Sequence, residues 1–130
     1  VEPIFLSLDD LLESHAEQIA TYGGSDGIRD LNLLQSALAQ PAATFDGAYL
    51  HADLFEMAAA YLYHIVLNHP FVDGNKRVGL EAALVFLAIN GWSVEAPDDE
   101  IVELVLRTAQ ALTTKDEIAY FLRDHAVATE

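Results

Sequence analysis

Two almost wholly apolar stretches, Leu54–Leu67 and Val78–Ile89, lie either side of a short polar junction in the middle of the chain. A surface helix needs one apolar stripe, whereas a helix apolar on nearly every side has to be surrounded by other elements. Pro70 disfavours helical geometry at the residue before it, so the first stretch is predicted to end as a helix near His69. The second is predicted to begin at Gly74 or Asn75 and run to Asn90, with Gly91 as its terminator. A chain of 130 residues has room for one core. The pair is therefore expected at the centre of an all-α fold, a compact bundle of about six helices forming a single domain over residues 1–130.

The flanking segments read as the surround. Ser7 is a natural N-cap, and Leu8, Leu11, Leu12, His15 and Ile19 then share one helical face. The glycine-rich run from Tyr22 to Gly27 breaks that helix, and a shorter one follows from about Asp30 to Ala39. Residues 41–52 have no helical period and carry the Asp46-Gly47 turn signal, so they are predicted to be a loop or small hairpin. Asp53–Glu56 reads as a capping box for the first central helix. After Gly91, residues 92–96 read as a short extended piece, and a helix is predicted from Pro97–Glu100 to about Thr113. Thr114–Glu117 is a capping box for the last helix.

Composition narrows the function classes. With no cysteine, thiol catalysis, zinc–thiolate sites and disulfides are excluded. Six Lys and Arg stand against 21 Asp and Glu, a formal net charge of -15, which argues against direct nucleic-acid binding and against an anionic membrane surface. The acidity reads as a solubility device or as a field that steers in a basic partner. No segment reaches the roughly 18 apolar residues of a membrane span. No basic region followed by an apolar stretch opens the sequence, so a soluble, cytoplasmic protein is expected.

The junction His69-Pro-Phe-Val-Asp-Gly-Asn-Lys-Arg77 carries the chemistry. A helix N-terminus presents N–H groups without intrahelical partners, and Gly74 permits close backbone approach, which together make an anion site. Lys76 and Arg77 bring two of the six basic residues to that spot. Asp73 is a hard oxygen ligand suited to Mg²⁺ beside phosphates. His69 is placed to act as a general base toward a hydroxyl, and Phe71 to anchor the loop in the core. Taken singly, each has an ordinary explanation: a histidine cap, Asp-Gly-Asn turn chemistry, surface cations. Their concentration within nine residues describes a nucleotide-phosphate site.

His69, Phe71, Asp73, Gly74, Asn75 and Arg77 match the Fic/Doc signature His-x-Phe-x-(Asp/Glu)-Gly-Asn-Gly-Arg-x-x-Arg, with Lys76 in place of the third glycine and Leu80 in place of the second arginine. In this the chain resembles the Doc (death-on-curing) branch, the toxin half of a toxin–antitoxin pair. Gly27-Ile-Arg-Asp30, Leu33-Leu34-x-Ser36-Ala37, Asp53-Leu-Phe-Glu56 and Leu84-x-Phe86-Leu87-x-x-Asn90-Gly91 are similar too, so the likeness spans residues 27–91.

The resemblance implies that His69 deprotonates the target hydroxyl and Asp73 holds Mg²⁺ on the phosphates of ATP. The Gly74 and Asn75 backbone, with the Asn75 side chain, would form the anion hole, and Lys76 and Arg77 would clamp phosphates. Thr44, Phe45, Asp46 and Gly47 lie where the family carries its target-aligning flap. Most Fic proteins transfer AMP, the second arginine gripping the outer phosphates. Without it, the Doc-like arrangement implies transfer of the γ-phosphoryl group to a protein of the translation machinery, such as a threonine of elongation factor Tu. AMPylation and a catalytically idle binding module are the alternatives, and a plain helical interaction protein is the reading from another class. The self-inhibitory (Ser/Thr)-x-x-x-Glu-(Gly/Asn) pattern is incomplete at Thr113–Glu117, where Ile118 follows. Inhibition is therefore expected from a separate cognate antitoxin whose disordered segment folds into a groove on the bundle.

Overall fold

A computed structural model describes residues 2–129. Its helices are α1 (Leu8–Tyr22), α2 (Leu31–Ala39), α3 (Leu54–Asn68), α4 (Asn75–Ile89), α5 (Asp98–Ala109) and α6 (Lys115–Asp124). Four short strands complete it: β1 (Thr44–Phe45), β2 (Ala48–Tyr49), β3 (Trp92–Val94) and β4 (Ala126–Ala128). The architecture is the expected all-α bundle, and α3 and α4 are its centre: α3 packs on α4, α6, α2 and α5. No helix among the described residues is long and apolar enough to cross a membrane.

Small residues let the central pair approach closely. Ala58, Ala59 and Ala60 on α3 and Ala82 and Ala83 on α4 are buried. At Gly79 an added Cβ would stand 2.8 Å from Val66 Cγ2 and 3.4 Å from the Leu62 carbonyl oxygen. Larger side chains fill the flanks. Phe86 packs on Tyr61 and Phe5, and the fully buried Tyr61 hydroxyl accepts a hydrogen bond from Leu6 N at 2.9 Å. Burial pushes that hydroxyl's pKa up to about 12.

Residues 41–52 contain the hairpin rather than an open loop. Thr44 pairs with Tyr49 and Phe45 with Ala48, and Asp46 and Gly47 turn the chain with φ 54° and 81°. Positive φ at both positions is the two-residue turn that Asp-Gly favours. Two sequence expectations are corrected. Helix α5 stops at Ala109, short of Thr113. Leu112 N bonds Arg107 O at 2.8 Å and Ala111 N bonds Thr108 O at 3.0 Å, a Schellman closure with Ala111 at φ 58° where glycine normally stands. The Asp53–Glu56 box is half made: Asp53 accepts from Glu56 N, but Glu56 reaches Ala52 N at 3.4 Å instead of closing on Asp53. Beyond α6, β4 pairs antiparallel with β3, Ser93 opposite Val127.

A partly buried polar cluster ties the end of the hairpin segment to α3 and α6. Lys115 Nζ donates to His64 Nε2 at 3.1 Å and to His51 Nε2 at 3.3 Å. Both rings must be neutral to accept. Burial, then the Lys115 charge, lowers His64 to about 4 and lowers His51 as well. Between pH 6.5 and 4 the unfolded chain therefore binds more protons than the folded one, and stability falls as pH falls through that window. The melting temperature should drop on acidification across it, and His64→Gln, which keeps a neutral acceptor, should flatten the slope. An unchanged slope in that variant would remove His64 from the account.

Candidate active site

The junction is assembled from both of its ends. His69 closes α3 in a left-handed conformation, φ 50°, with its N–H on Ile65 O. Gly74, φ 82°, opens α4 and supplies no side-chain cap. The first intrahelical bond of α4 is Val78 N to Gly74 O. The N–H groups of Asn75, Lys76 and Arg77 thus have no protein acceptor among the described residues, the condition for an anion site.

Phe71 is the anchor the sequence implies. It is fully buried, and its ring stacks on His15 at 4.0 Å with an interplanar angle of 6°. Asn75 differs from expectation. Its side chain is buried and committed to the loop: Oδ1 accepts from Phe71 N at 2.9 Å, while Nδ2 donates to Phe71 O at 3.0 Å and contacts His69 Nδ1 at 3.1 Å. The two Phe71 bonds fix the amide's orientation, so it is a donor that faces His69. The Asn75 backbone N–H is the group left without a protein partner among the described residues. With Nδ1 accepting, the neutral His69 ring carries its proton on Nε2, which has no protein partner among the described residues.

Asp73 is held on three sides. Its carbonyl oxygen accepts from His15 Nε2 at 2.9 Å, Oδ1 accepts from Gly74 N at 2.9 Å, and Oδ2 accepts from Ser25 N at 3.3 Å. The Ser25 and Gly74 bonds, then the Arg77 and Lys76 charges, hold its carboxyl below the usual range, so it stays ionised into more acid solution than a free aspartate. Arg77, half-buried, lays its guanidinium over the Tyr22 ring at 5.3 Å, while Lys76 is exposed. His69, Asp73, Gly74, Asn75, Lys76 and Arg77 together line one cleft of about 340 Å³, closed by Val66 and Ala109. A larger groove of about 770 Å³ between α5 and α6 contains none of them. Thr44, Phe45, Asp46 and Gly47 are exposed on the hairpin and do not line the cleft.

Leu80, at the position of the absent second arginine, lines a separate hollow beside Gln18, Tyr22 and Arg77. Among the described residues no cluster of three or more His, Cys, Asp and Glu could hold a metal by itself. Asp73 offers one ionised carboxylate next to the free N–H groups, a donor set that suits Mg²⁺ only when phosphate oxygens complete it.

Three contributors escaped the sequence. His15 sits at a core-facing position of α1 and reads as an ordinary apolar-face residue. Ser25 contributes only its backbone. Arg29 donates from its side chain to the carbonyls of Asn68 and His69, 40 residues away along the chain for the latter. Only the similarity of Gly27–Asp30 hinted at that segment.

Gly24 is required beside Asp73: φ is 115°, and an added Cβ would stand 2.6 Å from Asp73 Oδ2. Gly23, φ 83°, has nothing within 4 Å of such an atom. Alanine at either position should cost about 1–3 kcal/mol of backbone strain, but only Gly24→Ala should raise the Asp73 pKa toward its ordinary value by displacing the carboxylate from Ser25 N. A carboxyl-carbon NMR titration of both variants checks this; equal Asp73 titrations would contradict it.

A sequence model described as the Fic/DOC family matches residues 5–87. The chain is similar to the protein named Toxin Doc of Mycolicibacterium smegmatis (strain ATCC 700084 / mc(2)155), 37% identical over 123 residues, covering 90% of this chain and 92% of the relative. It is also similar to the protein named Protein kinase doc of Escherichia phage P1, 33% identical over 120 residues, covering 91% and 92%.

Proposed function

The chain belongs to the Fic/Doc family, and from that premise we propose that it is a Doc-type toxin transferring the γ-phosphoryl group of ATP to a hydroxyl side chain. The acceptor is a protein of the translation machinery in the cytoplasm, with a threonine of elongation factor Tu the first to try, and translation stops as a result. One observation carries this most: three unpartnered N–H groups open α4 beside Lys76 and Arg77, and His69 and the ionised Asp73 border the same cleft. The names of the relatives support the class, one being called a toxin and the other a protein kinase.

Asp73 would hold Mg²⁺ against the phosphate oxygens of ATP, and that ion would offset phosphate charge and help orient the donor. The N–H groups of Asn75, Lys76 and Arg77, with the two cationic side chains, would receive the phosphates and stabilise charge developing in transfer. The acceptor oxygen bonds the γ-phosphorus as the bond to the β–γ bridging oxygen breaks. ADP leaves, and the hydroxyl proton goes to His69. For Nε2 to take it, the ring must hold its own proton on Nδ1, so the Asn75 contact has to open when substrate binds. Catalytic hydrogen bonds often form only in the complex. Leu80 supports γ-transfer over adenylyl transfer, since no second guanidinium stands there to grip the outer phosphates. Inhibition is assigned to a cognate antitoxin, because the internal pattern at Thr113–Glu117 is incomplete and Glu117 caps α6.

His69→Ala should abolish γ-phosphoryl transfer to elongation factor Tu while leaving nucleotide binding in place. Mg²⁺–ATP at 100 times its dissociation constant should stabilise both proteins by about 2.7 kcal/mol. Asp73→Asn should lose both the stabilisation and the transfer. An unliganded melting curve in all three proteins would rule out a nucleotide site, and transfer undiminished in His69→Ala would rule out His69 as the base.

A further inference from the structure

The catalytic loop lies against a second segment that has no place in the motif. Residues 27–30 run antiparallel to residues 70–72: Val72 N bonds Gly27 O at 3.0 Å, Arg29 N and Asp30 N bond Pro70 O at 2.7 and 3.0 Å, and Ile28 bridges Phe71. The Arg29 side chain continues this contact onto the end of α3. Its Nε donates to the His69 carbonyl at 2.6 Å and its Nη2 to the Asn68 carbonyl at 2.8 Å.

The choice of partners is informative. The chain has 21 carboxylates and six Lys and Arg, yet Arg29 forms no ion pair among the described residues. Its planar fork is instead occupied by two main-chain carbonyls. Those carbonyls are left without intrahelical partners where α3 ends, and the second belongs to His69, a non-glycine residue in a left-handed conformation. That conformation is disfavoured for a side-chain-bearing residue and persists where surrounding contacts determine it. Asn75 fixes the imidazole edge of His69, and Arg29 fixes its backbone.

We propose that Arg29 is a positioning residue for His69, its guanidinium locking the Asn68 and His69 carbonyls so that the imidazole is presented to the cleft. The inference rests on the phosphotransfer reading for its catalytic consequence, though not for its structural one. Lysine cannot replace the fork, since it offers a point charge on a flexible stem.

The test uses the full chain as wild type, Arg29→Ala, Arg29→Lys and His69→Ala. Misplacement of a reacting group by about 1 Å costs on the order of 10²-fold. Arg29→Ala should lower kcat for γ-phosphoryl transfer by about that factor while KM for ATP changes less than about threefold, the split expected when a transition-state contact is lost. Arg29→Lys should fall between it and wild type, and decides the kinetic arm if the alanine variant does not fold. The imidazole nitrogen–proton NMR signals of His69, assigned by their loss in His69→Ala, should shift in the Arg29 variants without nucleotide present. Wild-type kcat together with unmoved His69 signals would overturn the proposal. If wild type transfers nothing, the phosphotransfer reading fails and the His69 signals alone decide the role of Arg29.

Discussion

The closeness of α3 to α4 is the constraint on which the site depends. Gly79 lies against Val66 and the Leu62 carbonyl with no room for a Cβ, and buried alanines continue both surfaces. This approach sets how far apart His69 and Gly74 can be, so the junction crosses a short gap with few conformations open to it. Positive φ at both residues lets the chain leave one helix and enter the next. Asn75 then closes the loop from inside through its two bonds to Phe71. A helix C-terminus bearing a histidine and a helix N-terminus bearing free N–H groups end up facing one cleft, a direct result of packing two apolar helices tightly.

Electrostatics divides the molecule in two. Most of the surface is acidic, and the described residues hold one ion pair, the half-exposed Arg123–Asp53 contact. Basic groups serve local purposes instead: Lys76 and Arg77 at α4, Arg29 on carbonyls, Lys115 between two neutral histidines. The first turn of a helix is an unfavourable place for Lys and Arg because the dipole is positive there. Two of them beside a helix start without a cap make sense once an anion occupies the site.

What the sequence makes legible follows from how local the signal is. The unbroken apolar character of Leu54–Leu67 gives the centre of the bundle, Asp46-Gly47 gives the hairpin turn, and nine consecutive residues give the cleft. The failures are the non-local or atypical features. Residues 126–128, Ala-Val-Ala, become a strand only because β3 lies alongside, and three residues are too few to show a period. Ala111 ends α5 in a conformation normally marked by glycine, so no stop signal is visible. The bonds of the Asn75 side chain to Phe71 and His69 carry no signal in the motif, where Asn75 reads only as an anion ligand. His15, Ser25 and Arg29 reach the site only through tertiary contacts, Ser25 from the glycine-rich run that reads only as a helix break.

The mass of elongation factor Tu after incubation with Mg²⁺–ATP and this protein tests the central claim most directly. The account predicts a gain of one phosphoryl group on a hydroxyl residue, absent with His69→Ala. A gain of one adenylyl group, equally dependent on His69, would contradict it and show that replacement of the second arginine by Leu80 does not redirect transfer to the γ-phosphoryl group.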